Sequence, residues 1–269
     1  WWNLNQVRRL LSRAAWMSEF NSSTYSPITL TSFAKIAEYA HDPDIRAVAR
    51  DIESRMWAEL LLHYHPATLH QAGPMARTYP IDYAGHNHSL QMVLWYAFGT
   101  ELTGRDLMAS YFEPDGSEVI HFAGCYMQTV AEFCHMIDTP LHIPENLKPL
   151  IIERSYPCTL RGRAELMTQF EGDGQSQTET YMEETFSCGS VSRPMGGGEQ
   201  TTSMYVTYKR TPECVTFRDA ATIFHKYVTD DVDVGQKDTS ADGNYHGEHF
   251  FKSQGWCIAL QKRNTIAML

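Results

Sequence analysis

The residues best suited to chemistry are concentrated between His63 and Ser89. That stretch holds five of the twelve histidines (His63, His65, His70, His86 and His88), together with Arg77, Tyr79, Asp82 and Tyr83. Imidazole changes charge near neutral pH, so a histidine here is a candidate general acid or base. The runs Arg77-Thr78-Tyr79 and Asp82-Tyr83 set a guanidinium and a carboxylate beside two phenols. A neighbouring cation lowers a phenol's pKa, and a tyrosine base needs the phenolate. The same residue types also serve as plain packing at a helix end. The His-x-His pairs at 63/65 and 86/88 could offer two metal ligands only on extended backbone, and neither belongs to an HExxH pattern. No metal is expected.

Helical periodicity flanks this stretch on both sides. Leu4, Val7, Leu11 and Ala14 recur at amphipathic spacing between Asn3 and Phe20, and a polar turn follows from Asn21 to Pro27. A second helix is expected over Thr29 to Tyr39. A third starts with Asp42 as cap and Pro43 in its first turn, and it should stop near His65-Pro66. His88 to Phe98 is nearly all apolar and closes at Gly99. Glu118 to Ile137 is apolar around most of its circumference, which predicts a buried helix. On it His121, Gln128, Glu132 and His135 form one narrow stripe, either a polar seam satisfied by neighbours or one wall of a cleft.

Beyond the prolines at 140, 144, 149 and 157 the period changes from helical to alternating. Leu160, Gly162, Ala164 and Leu166 alternate with Arg161, Arg163, Glu165 and Met167. Thr178 to Ser187, Thr201 to Lys209, Cys214 to Arg218 and Trp256 to Gln261 follow suit, and Lys262-Arg263-Asn264 predicts a hairpin turn into Thr265 to Leu269. Helices first and short strands second indicate an α+β chain with antiparallel sheet. The missing βαβ alternation disfavours a Rossmann fold or a TIM barrel. Gly196-Gly197-Gly198 lacks the lysine-serine end of a phosphate loop, and Asp230 to Gly235 lacks the ligand spacing of a calcium loop. Both are expected to be loops.

Composition narrows the partners. A net charge of −10 argues against a general nucleic-acid binder, which needs a basic face. No apolar run is long enough for a membrane-spanning helix. The six cysteines show no CxxC pairing, and free thiols are expected. Both ends of the chain look cut, as in part of a larger protein. Secretion or a periplasmic location is favoured over other compartments, and the oligomeric state is open.

The runs NSSTY (21–25), AGPMARTY (72–79), SRPMGGGEQT (192–201) and GWCIALQKRNTIAML (255–269) resemble the heparinase II/III-like class of polysaccharide lyases. That resemblance implies an incomplete (α/α) toroid over residues 1–150 and an incomplete antiparallel β-sandwich over 151–269. It also implies β-elimination at a uronic acid of an acidic polysaccharide or oligosaccharide, with no cofactor. Carried onto these positions, Asn21 is the amide that neutralises the carboxylate, Tyr79 or Tyr83 the phenol, and His86 the imidazole. Arg77 and Arg193 would grip carboxylates bidentately, with Tyr25 and His88 also at the substrate. The chain departs from the pattern at Met75, where a polar residue is expected. Two rivals stand beside this expectation. One is a glycoside hydrolase on a helical frame, pairing Asp82 with Glu101 or Glu132. The other is a non-catalytic glycan-binding protein.

Overall fold

The structure, a computed structural model, describes residues 2–76, 78, 88–100, 134, 136–149, 154–165, 175–193, 202–214, 219–225 and 257–269. The first half supplies helices α1 (Trp2–Arg13), α2 (Tyr25–Tyr39), α3 (Pro43–His63) and α4 (His88–Phe98). Between α3 and α4, β1 (Tyr64–His65) pairs antiparallel with β2 (His70–Gln71). Asp42 caps α3 as its sequence requires, its Oδ1 accepting from the Asp44 amide at 2.8 Å and the Ile45 amide at 3.4 Å. α4 closes on Gly99 at φ +67°, a left-handed residue that glycine adopts without steric cost.

Helix α3 is the central helix of the core. Ile52, Met56, Trp57, Leu60 and Leu61 are buried and pack with Leu30 and Phe33 of α2 and Leu90, Val93 and Leu94 of α4. Each such side chain contributes about 1.5–3 kcal/mol on full burial. The carboxyl end of α3 is closed from far along the chain. Arg154 donates through Nη1 to the Leu62 carbonyl (2.9 Å) and through Nη2 to the Leu61 carbonyl (3.0 Å).

The second half forms one antiparallel sheet in the order β3 (Cys158–Glu165), β4 (Gln175–Met182), β5 (Phe186–Val191), β6 (Met204–Lys209), β7 (Ala220–Phe224). Register pairs Gly162 with Thr178 and Thr178 with Val191, so Gly162, Ala164, Thr178, Thr180, Gly189 and Val191 share one face. That face lies against the helical half. The Trp16 indole rests on Gly162 and donates to Thr178 Oγ1 at 2.8 Å. The Gly73 carbonyl sits over Gly189 and accepts from Thr180 Oγ1 at 2.7 Å. The opposite face is partly covered by a hairpin of β8 (Ala259–Lys262) and β9 (Thr265–Met268), turning at Arg263-Asn264 as expected. Gln261 Nε2 donates to the Cys188 carbonyl (3.2 Å), and the Arg263 amide donates to Glu179 Oε1 (2.9 Å).

The expected fold class needs correction. The described residues hold four α-helices and a five-stranded antiparallel sheet, and no helical toroid is evident among them. Periodicity identified single helices, but a ring needs successive helical hairpins that cover one another. Here the segment after α1 leaves the helices and covers the sheet. Helix α1 stops at Arg13 instead of running to Phe20, because the amides of Ala15 and Trp16 both donate to the Arg163 carbonyl on edge strand β3. The sheet's inner face is thus packed by Trp16, Phe20 and Ala76 from the first half. A strand stands at 220–224, after the expected 214–218 stretch, of which residues 215–218 lie outside the described residues. So does most of the expected helix 118–137 with its stripe of His121, Gln128, Glu132 and His135, as do the loops at 196–198 and 230–235.

Candidate functional site

Asn21 sits between the turn after α1 and the segment at and after β2, and it is fully buried. Its φ of 50° is left-handed, a conformation asparagine tolerates better than most residues. Its Nδ2 donates to the carbonyls of Ala72 (2.7 Å) and Pro74 (2.9 Å), and its Oδ1 accepts from Gln71 Nε2 (2.5 Å). Its backbone amide donates to Glu59 Oε1 at 2.6 Å. Both amide protons are therefore committed to main-chain carbonyls in a closed core, and Asn21 ties two loops together. Tyr25 opens α2 half-buried, its amide donating to Ser22 Oγ at 3.0 Å. Arg193 lies just past β5 and donates through Nε to the Gln175 carbonyl at 3.1 Å. Arg77, Tyr79, Tyr83 and His86 lie outside the described residues, as do Asp82 and Glu101 of the hydrolase alternative. His88 begins α4, but its side chain is likewise outside them.

Three of the five clustered histidines are packing groups. His63 Nδ1 donates to the Glu59 carbonyl (2.7 Å), and its ring meets Trp16 edge-on at 5.1 Å. His65 is held between Thr68 Oγ1 and the Glu183 carbonyl, both at 2.8 Å, and His70 Nδ1 faces the Thr68 carbonyl. Burial disfavours the imidazolium and pushes all three pKa values down to about 4. Below them the Glu59 carboxyl, buried and receiving the Met17 and Asn21 amides, is pushed up to about 7. Met75 is buried beside Tyr205, and its carbonyl accepts from the Thr202 amide at 2.9 Å.

The open site lies elsewhere. A groove of about 650 Å³ runs where the end of α1 meets edge strand β3 and hairpin β8–β9. Its charged lining is Arg13, Arg55, Arg161 and Arg163, against the single carboxylate of Glu179. Ser12, Gln177, Ser190, Ser192 and Gln261 add neutral hydrogen-bonding groups. Arg161 and Arg163 stand two residues apart on one strand, so their stems point the same way roughly 7 Å apart. Each guanidinium is oriented by one contact. Arg161 Nε meets Glu179 Oε2 at 2.7 Å, Arg13 Nη2 meets Glu165 Oε1 at 2.8 Å, Arg163 Nε donates to the Arg13 carbonyl at 2.7 Å, and Arg55 Nη2 donates to the Ala15 carbonyl at 3.3 Å. The Glu179 hydrogen bond raises the Arg161 pKa further. A guanidinium carries five N–H donors, so this arrangement positions the forks while leaving donors for an anion. Such a surface can hold carboxylates in a fixed array.

Strand alternation already placed Arg161 and Arg163 together. Nothing in the spacing linked them to Arg13 or Arg55, which arrive only when α1 and α3 dock on the sheet edge. Residues 4–117 match a family described as Domain of unknown function (DUF8769), and this match covers less than half of the chain. No curated protein and no solved structure matches the chain. Arg13 and Arg55 fall within the matched residues, and Arg161 and Arg163 fall outside them.

Proposed function

We propose that this protein binds a uronic-acid-bearing polysaccharide in the arginine-lined groove. The observation that carries this reading is the set of four oriented guanidiniums set against two carboxylates, Glu165 and Glu179, on a chain whose overall charge is −10. An acidic polymer needs a locally basic cleft, and local charge decides the contact once ions screen beyond about 8–10 Å. Serine and glutamine between the arginines suit hydroxyls. None of the described lining residues is aromatic, whereas single-stranded nucleic acid is typically held by stacking platforms.

Cleavage of that polymer by β-elimination is the second reading, and it rests on the sequence resemblance together with one anchoring feature. The Ala76 amide donates to the Phe20 carbonyl (3.0 Å) and the Leu90 amide to the Ser23 carbonyl (2.9 Å). The described residues Ala76 and Leu90 are therefore both held to the segment between α1 and α2. Ala76 also packs with Trp16, whose ring rests on Gly162 of the groove. In this scheme a phenolate or imidazole takes the C5 proton, the C–H electrons form the C4–C5 double bond, and O4 leaves with a proton from the acid. Asn21 is occupied in the core, so a groove guanidinium takes the carboxylate-neutralising role.

Titration with polygalacturonate, its methyl-esterified form and poly-U tests the first reading. The acidic glycan alone should bind, weaken with added salt, and lose at least tenfold in affinity in the Arg161→Ala/Arg163→Ala variant. Tighter binding of poly-U, or equal binding of the neutral ester, would refute it. Near-ultraviolet absorbance of the digested polymer tests the second reading, because elimination leaves an unsaturated uronate. Tyr79→Phe should abolish that signal while binding persists.

A further inference from the structure

We infer that the ligand is a linear chain of several acidic units laid along a track, and not a single terminal sugar. This rests on the groove reading above. A second depression of about 370 Å³ lies between α1 and α3, lined by Arg8, Leu11, Ser12, Asp51, Ile52 and Arg55. Leu11, Ser12 and Arg55 also line the main groove, so the two depressions adjoin at these three residues. Helix geometry accounts for the second one. Arg8, Leu11 and Ser12 recur at i, i+3 and i+4 on α1, and Asp51 and Arg55 stand at i and i+4 on α3, so both sets line one side of their helices. Buried Leu11 and Ile52 form the floor and the charged heads form the rims.

Each depression separately has the volume of a typical small-ligand site, about 300–1,000 Å³. A single saccharide would fill part of one of them, whereas a chain can occupy both. Charge along the track is uneven. The β3 end presents Arg13, Arg161 and Arg163 against Glu165 and Glu179, a net positive charge, the middle presents Arg55, and the far end sets Arg8 against the carboxylate of Asp51. Short acidic oligomers should therefore settle at the β3 end, and only longer ones should reach Arg8 and Asp51. There Arg8 attracts the chain and Asp51 repels it.

Isothermal titration with galacturonate oligomers of two and six units provides the test. The hexamer should bind the unaltered protein at least tenfold tighter than the dimer. Arg8→Ala should cut hexamer affinity about fivefold and Asp51→Asn should raise it two- to threefold, both leaving dimer affinity unchanged. Opposite effects from two exposed neighbours exclude loss of folding as their cause. Equal affinity for both lengths, or variants that shift dimer and hexamer alike, would overturn the track while leaving the groove reading intact. Failure of both oligomers to bind would remove the groove reading and the track with it.

Discussion

Acid should unfold this protein in a way set by four buried groups. His63, His65 and His70 hold pKa values of about 4 against an ordinary 6.5, so below pH 6.5 the unfolded chain takes up three protons that the folded chain refuses. Their contribution is fully present above pH 6.5 and is lost as pH falls toward 4. Glu59 works the other way. Its pKa of about 7 against 4.5 means that the folded state takes its proton first, which favours folding as pH falls from 7 to 4.5. Between 6.5 and 4.5 the unfolded state therefore binds a net two protons more. At about 1.36 kcal/mol per proton per pH unit, stability should drop by about 3 kcal/mol per unit. By pH 5 the loss is on the order of 4 kcal/mol, much of the 5–15 kcal/mol typical of a domain. Urea unfolding followed by the fluorescence of buried Trp16 and Trp57, repeated from pH 7.5 to 4.5, measures this slope directly. His70→Asn keeps an N–H toward the Thr68 carbonyl but cannot titrate, so it should roughly halve the slope. A pH-independent stability between 6.5 and 5, or an unchanged slope in that variant, would refute the reasoning.

Substitutions at Asn21 and Gly189, each with a control, probe the close packing of the loops. Asn21→Ala removes the side-chain donors to the Ala72 and Pro74 carbonyls and one of the two acceptors of Gln71 Nε2, and it places alanine at φ 50°. The loss should be about 3–5 kcal/mol by thermal or urea denaturation. Asn21→Gly should recover only the backbone share of about 1 kcal/mol, and full recovery by glycine would mean that the amide bonds contribute nothing. Gly189→Ala drives a methyl into the Gly73 main-chain carbonyl, which cannot swing aside as a side chain could. It should destabilise by about 3 kcal/mol or more. Gly99→Ala meets open space and should lose only the left-handed penalty of about 1 kcal/mol, so equal midpoints for the two variants would contradict this packing.

Much of the local architecture is written in short-range pattern. Asp42 followed by Pro43 places the start of α3 to the residue, Gly99 ends α4, and Arg263-Asn264 turns the last hairpin. Such signals rest on periods of 3.6 and 2 and on capping groups a few residues away, all within one stretch of chain. The alternation that put Arg161 and Arg163 on one face belongs to the same class. Asn21 shows the limit. The residues after it are polar and its side chain suits a ligand, yet its partners are Gln71, Ala72 and Pro74, about fifty residues on. The histidines are alike in this respect, since only packing against Trp16, Tyr156 and the Glu183 carbonyl removes His63 and His65 from water.

Residue types and their spacing thus determined which segments coil, which extend and where they turn. The tertiary structure decided which polar side chains are consumed inside and which four arginines meet outside. It also decided that α1 yields its last turn to the edge of β3. The reason is that burial and charge proximity depend on contacts between residues far apart in the chain, 162 positions in the case of Trp16 and Thr178, and no local period carries that information.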